Sequence, residues 1–306
     1  MYVRSTNYDR TIQSAMANMA GWFPPTQKDV WANPNNVPLA GLWRPFPVRQ
    51  SDDPTLLGET ECPRIDKRPY RPDLQALFDF IETKHKVLLD YVRLESGETN
   101  MTVSDGLERV SDVLRCQKYA GVKYPAWVND TVYEKIQYLD DLRFHIWVGG
   151  NGDTSRARIN GGRILKTILT DFQSKTYNKG DPAKRKAYFY SSHDNSIGGL
   201  LACLHLYDYT IDGQPVMHIP LYANTLLFEL FNNNTVRILH KNDTTEPSFT
   251  KTDPIALKHP QCDTLCPLDR LMELTREYMP DDWKCECEDE CDFDLPFQRP
   301  PRIPSA

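Results

Sequence analysis

The sequence has no apolar run near the ~18 residues that cross a bilayer, so no membrane span is expected. It also has no excess of positive charge. Lys plus Arg number 36 against 42 Asp plus Glu, a formal charge of −6, and no long basic run interrupts the chain. A nucleic-acid binder neutralises many phosphates and needs the opposite balance, so nucleic acid is not an expected partner. The opening Met1-Tyr2-Val3-Arg4-Ser5-Thr6 has neither the basic segment nor the apolar stretch of a signal peptide. There is no internal repeat. What is present, 306 residues at 40% hydrophobic, 25% charged and 11% aromatic, is globular material, enough for one large domain or two unequal ones.

Eight cysteines are unevenly placed. Cys62, Cys116 and Cys203 stand apart, while Cys262, Cys266, Cys285, Cys287 and Cys291 crowd the last fifth. Paired Cys-x-x-Cys knuckles are absent and no histidine sits at ligand spacing beside the cluster, so disulfides are favoured over zinc. Four Asn-x-Thr sequons, at Asn100, Asn129, Asn233 and Asn242, lean toward an extracellular or lumenal protein carrying glycans. That sits badly with the missing signal peptide and raises the expectation that the chain is not whole.

Periodicity divides the chain. Residues 1–3 read as the tail of a strand, and Ile12, Ala15, Met16, Met19 and Ala20 predict an amphipathic helix over 8–21, stopped by Gly21 and Pro24-Pro25. Residues 24–72, with Trp31, Trp43, Pro45 and Pro47, are Pro-rich and aperiodic. Leu74, Leu77, Phe78, Ile81, Leu88 and Val92 form one helical stripe; further helices open at Ser104-Asp105 and after Thr131. Three helices without an intervening strand predict a helical subdomain over 73–147, set between 1–72 and 148–306. Gly161-Gly162 reads as the start of another helix, or as a close helix approach, and 187–192 as an apolar strand leading to a helix over 195–206. Runs 225–231 and 235–240 flank Asn232-Asn233-Asn234 as a hairpin, and 267–279 reads as a last helix.

Two places share one architecture, a strand ending in a charged side chain with a helix just after: Arg4 before the helix at Asp9, and His193-Asp194 before the helix at Asn195. In an open α/β sheet ligands collect at the carboxyl ends of strands. Helix N-termini there attract anions, and an arginine can fork onto two phosphate oxygens. Asp194 could give or take a proton beside such a group. Plainer roles compete: Arg4 as a structural ion pair, His193-Asp194 as a helix cap, Cys203 as a buried thiol, Trp127 and Tyr133 as core rather than entrance.

Together these stretches resemble the histidine acid phosphatases of the prostatic and lysosomal type. The resemblance runs through Arg4-Ser5-Thr6-Asn7-Tyr8-Asp9-Arg10-Thr11, Phe23-Pro24-Pro25, Trp43-Arg44-Pro45-Phe46-Pro47-Val48, Gly161-Gly162 and Tyr190-Ser191-Ser192-His193-Asp194. It continues in Pro220-Leu221-Tyr222-Ala223, Phe228-Glu229-Leu230, Cys266-Pro267-Leu268 and Pro280-Asp281-Asp282-Trp283. The resemblance implies an α/β, doubly wound sheet with a helical insertion, and hydrolysis of small phosphate monoesters through a phosphohistidine, without metal or cofactor. By position, Arg4 and His193 would bind the phosphoryl group and Asp194 would protonate the leaving alkoxide. Disulfides Cys62–Cys287 and Cys262–Cys266 are implied, with Cys285 and Cys291 left to pair with each other and Cys116 free, since its usual partner position holds Thr225. A homodimer and an extracellular or lysosomal site are implied as well.

The departures are equally specific. No R-H-G-x-R-x-P segment occurs in the 306 residues, and Asn7 replaces the family's aspartate. The missing segment carries the nucleophilic histidine, two arginines and the first, central strand. The expectation is therefore a truncated, inactive form of a phosphatase. The alternative is an inactive relative that binds anions or partners; a mutase-type relative is disfavoured by the cysteine pattern.

Overall fold

The computed structural model describes residues 1–26, 44–50, 56–57, 62–67, 72–180, 184–206, 209–211, 214–216, 218–241 and 254–288. Trp31, Trp43, Asn242 and Cys291 lie outside the described residues. Near the amino terminus β1 (Tyr2–Ser5) is the middle strand of a parallel trio, flanked by β2 (Val48–Gln50) and β3 (Tyr188–Ser191). Register sets Arg4 opposite Arg49 on one side and Tyr190 on the other, and Ser5 opposite Ser191. The strand thus runs two residues beyond the expected 1–3. Helix α1 (Asp9–Trp22) follows at once and buries Thr11, Ala15 and Met19, four residues apart, on one face of the trio. There Val3, Ala15 and Met19 form a small core with Phe23, Phe46, Val48 and Phe189.

Residues 74–146 build a separate core from four helices rather than three: α2 (Pro72–Lys84), α3 (Lys86–Ser96), α4 (Leu107–Tyr119) and α5 (Asp130–Trp147). The long stripe breaks at His85, where the chain leaves helical geometry (ψ 16°). The next helix starts at Leu107 rather than at Ser104, because Gly106 holds φ +95°, which no helical residue adopts. Asn129 caps α5 by accepting from the Val132 amide. Tyr133 is buried in this core and Trp127 packs against it.

The main core lies between α6 (Thr154–Thr176), α7 (Asp194–Cys203) and an antiparallel sheet. Gly161-Gly162 does not open α6; Asp153 caps it two turns earlier, accepting from the Arg156 amide. The glycines are there for contact. A Cβ on Gly161 would stand 2.1 Å from the Gly199 carbonyl, and one on Gly162 1.8 Å from the Tyr278 oxygen, so α6 and α7 meet backbone to backbone. Cys203 is buried and free beside them. A short hairpin, β4 (Tyr209–Ile211) and β5 (Gln214–Val216), precedes β6 (Thr225–Leu230) and β7 (Thr235–Lys241), which pair antiparallel. Strands β8 (Ile255–Leu257) and β9 (Cys266–Pro267) add to β7. The expected 267–279 helix is shorter: α8 (Leu268–Leu274) passes into a 3₁₀ turn at Arg276–Tyr278.

Helix α9 (Trp283–Glu288) is clasped to α6. Arg158 Nε and Nη2 donate to the two Glu286 oxygens at 2.6 and 2.8 Å, both side chains being at most 4% exposed. Disulfides join Cys62 to Cys287 and Cys262 to Cys266; Cys285 is also disulfide-bonded, and Cys116 is free and exposed.

Candidate functional site

The carboxyl ends of β1 and β3 lie side by side, closed by a Thr6 amide to Ser191 carbonyl bond of 3.1 Å. From them α1 and α7 begin, capped by Tyr8 and His193, neither with a side-chain hydrogen bond to its helix. Two positive helix ends therefore open on one locus. His193 is half-buried there and Asp194 exposed. Asp194 Oδ1 accepts from the Asn195 amide at 2.8 Å.

His193 is gripped from the β1–α1 side. Its Nε2 lies 3.1 Å from Thr6 Oγ1, its Nδ1 3.4 Å from Arg10 Nη2, and its ring stands edge-on to Tyr8 at 5.1 Å. The Arg10 guanidinium sits 4.6 Å over the Tyr8 ring. A proton count orients the imidazole. Thr11 Oγ1 donates to the Thr6 and Tyr8 carbonyls, so in the 2.7 Å Thr6–Thr11 pair Thr6 is the donor. Thr6 Oγ1 then accepts from His193 Nε2–H, and Nδ1 accepts from Arg10. Ser191 Oγ donates to the Thr11 carbonyl at 2.8 Å and binds α1 to β3. Behind α7, Ser192 and Ser196 both donate to the Leu57 carbonyl.

Arg4 does not join this group. Side chains alternate across a strand, and Val3 faces α1, so Arg4 points to the opposite face with Tyr2, Tyr188 and Tyr190. There burial raises the Tyr190 hydroxyl pKa, and the Arg4 charge opposes the shift. Arg4 makes no hydrogen bond to His193 or Asp194, and its Nε is buried without a partner. The arginine that meets His193 is Arg10, the second residue of α1. Helical geometry was the available signal: the first turn after a strand end folds back over that end.

Of the sequon residues, Asn100, Asn129 and Asn233 are exposed. Among the described residues no helix is long and apolar enough to cross a membrane.

Phytases from Klebsiella sp. ASR1 and Citrobacter braakii superpose with a TM-score of 0.58, at 14% and 15% identity, over 92% and 94% of this chain and 79% and 80% of theirs. At that identity the likeness is one of fold. The family model of the histidine phosphatase superfamily (branch 2) matches residues 1–246, and the chain belongs to that family. Its fold is accordingly the α/β histidine phosphatase fold with a helical insertion. The protein named "Putative acid phosphatase 5" of Caenorhabditis elegans is 33% identical, the prostatic acid phosphatase of Rattus norvegicus 29%, and the lysosomal acid phosphatase of that species 30%. Each alignment covers 94% of this chain; the chain spans 64%, 71% and 64% of those relatives' lengths.

Proposed function

We propose that this chain carries the phosphate-holding part of an acid phosphatase site that acts on small phosphate monoesters. Arg10 and the two helix N-termini bind the phosphoryl oxygens, His193 adds a donor once the Nδ1 that Arg10 releases carries a proton, and Asp194 stands where a leaving alkoxide would take its proton. The observation that carries this reading is the contact of His193 with both Thr6 and Arg10 at the meeting of α1 and α7. An incoming anion takes over the Arg10 donor that Nδ1 now holds at 3.4 Å, exchanging a neutral acceptor for a charged one. The relatives named acid phosphatases point to chemistry at acidic pH. The sequons and disulfides support glycosylation and an extracellular or lysosomal setting, and the relatives' names agree.

These 306 residues contain no R-H-G-x-R-x-P segment. A phosphohistidine cannot form without its nucleophile, so the chain by itself binds phosphate without turning esters over. Calorimetric titration with inorganic phosphate is expected to show binding that falls about tenfold in Arg10→Ala and similarly in His193→Ala, but not in Arg4→Ala. Unchanged affinity in Arg10→Ala and His193→Ala would remove the site. Hydrolysis of a chromogenic monoester at acidic pH, abolished by Asp194→Asn, would overturn the inactivity.

A further inference from the structure

The break between α2 and α3 opens a cleft of about 360 Å³ lined by Lys84, His85, Val87, Leu88, Tyr91 and Lys135. The cleft is shallow and open to solvent: Lys84, Val87, Tyr91 and Lys135 are all exposed. Its charge is one-sided. Lys84 ends α2 and Lys135 lies on α5, so the two ammonium groups come from separate elements. Among the described residues neither makes a hydrogen bond or ion pair; Lys84 Nζ lies over the Phe80 ring at 5.7 Å. Lys86, across the break, is by contrast tied to Asp90. His85 is held below the ordinary histidine pKa by burial first, then by Lys84 and Lys135, so the charges that act on it are cationic. The rest of the wall is apolar, and the Tyr91 hydroxyl is already committed to the Trp127 carbonyl at 2.9 Å.

We propose that this cleft is a second anion site, distinct from His193, that takes an organic phosphate monoester. The phosphate lies between Lys84 and Lys135 with a donor from His85, and the ester's apolar body lies along Val87, Leu88 and Tyr91. Two ammonium groups without a partner among the described residues suit a head that carries up to two negative charges, and the exposed apolar edge of Val87 and Tyr91 beside the half-buried Leu88 favours an ester over bare phosphate. The site stands independently of the catalytic reading of the β1–β3 locus.

The test is an NMR titration of the 306-residue chain with phenylphosphonate, which no phosphatase can hydrolyse, following the His85 imidazole assigned by His85→Asn. Saturable movement is expected, with a rise in the His85 pKa because a bound anion favours the imidazolium. In Lys84→Gln/Lys135→Gln the affinity at His85 falls about tenfold while that at His193 is unchanged. Both lysines are exposed, so the substitutions leave the fold intact, checked by circular dichroism. No saturable shift at His85, an equal shift with phenol, an equal shift with sodium chloride at matched ionic strength, or unchanged affinity in the double variant would each overturn the proposal. His85 and His193 report separately, so failure of one site is distinguishable from failure of the other.

Discussion

Helices α1 and α7 present their N-termini to the same locus but stand on unequal foundations. Behind α7, Leu200, Leu201, Ala202 and Cys203 enter the main core, and Gly199 lies against Gly161. Behind α1 there are three buried apolar residues, Val3, Ala15 and Met19, and a ring of partly buried neighbours. The half that carries His193 and Asp194 is therefore fixed by packing. The half that carries Arg10 is fixed largely by hydroxyls: Thr6 to Thr11, Thr11 to the backbone, and Ser191 to Thr11. Burial of apolar area scales stability with size, whereas each net hydrogen bond adds only about 1 kcal/mol, so the two halves differ in how much a single substitution can move them.

The largest effect is expected at the clasp behind α6. Glu286→Ala strands the Arg158 guanidinium, 4% exposed on its side chain, without its carboxylate and costs about 3–5 kcal/mol in urea unfolding. Gly161→Ala places a methyl group against the Gly199 backbone, which has no side chain to swing aside, and costs roughly 3 kcal/mol. If either variant proves neutral, the foundation of α7 is not what holds it. Acid probes the same side. Burial pushes the His145 pKa down to about 4, from 6.5, and His259 moves the same way. The unfolded chain then binds the proton first, so the stabilisation is full above pH 6.5 and declines as pH falls toward 4, by roughly 2–3 kcal/mol for His145. His145→Gln is expected to flatten that stretch of the stability–pH curve. The smallest change is on the other half: Thr11→Val removes the hydroxyl that orders Thr6 and costs about 1 kcal/mol of stability. Phosphate affinity should nevertheless drop a few-fold, measured by calorimetry. A stability loss without an affinity loss would make the hydroxyl chain a mere fastening.

The strand–helix units were legible in the sequence because periodicity changes sharply at them: Ala15 and Met19 repeat at helical spacing straight after an apolar strand, and the same switch marks His193. The family resemblance rests on those segments and is upheld. What the sequence hid was direction. Arg4 stands one residue before the end of β1 and alternation turns it to the tyrosine face, while Arg10 reaches His193 from the first turn of α1. Gly161-Gly162 looked like a boundary because glycine is a poor helix former; only the partner helix explains its position inside α6. Likewise a continuous apolar stripe concealed the elbow at His85, since the stripe keeps its phase across the break.

The Cys62–Cys287 bridge joins positions 225 residues apart. Every element from α2 to α8, the helical insertion and His193 included, lies on the covalent ring that it closes. A protease that cuts one exposed turn inside that ring opens a circle rather than severing a line. The nicked polypeptide stays a single molecule until the disulfide is reduced, so one cut does not release either fragment.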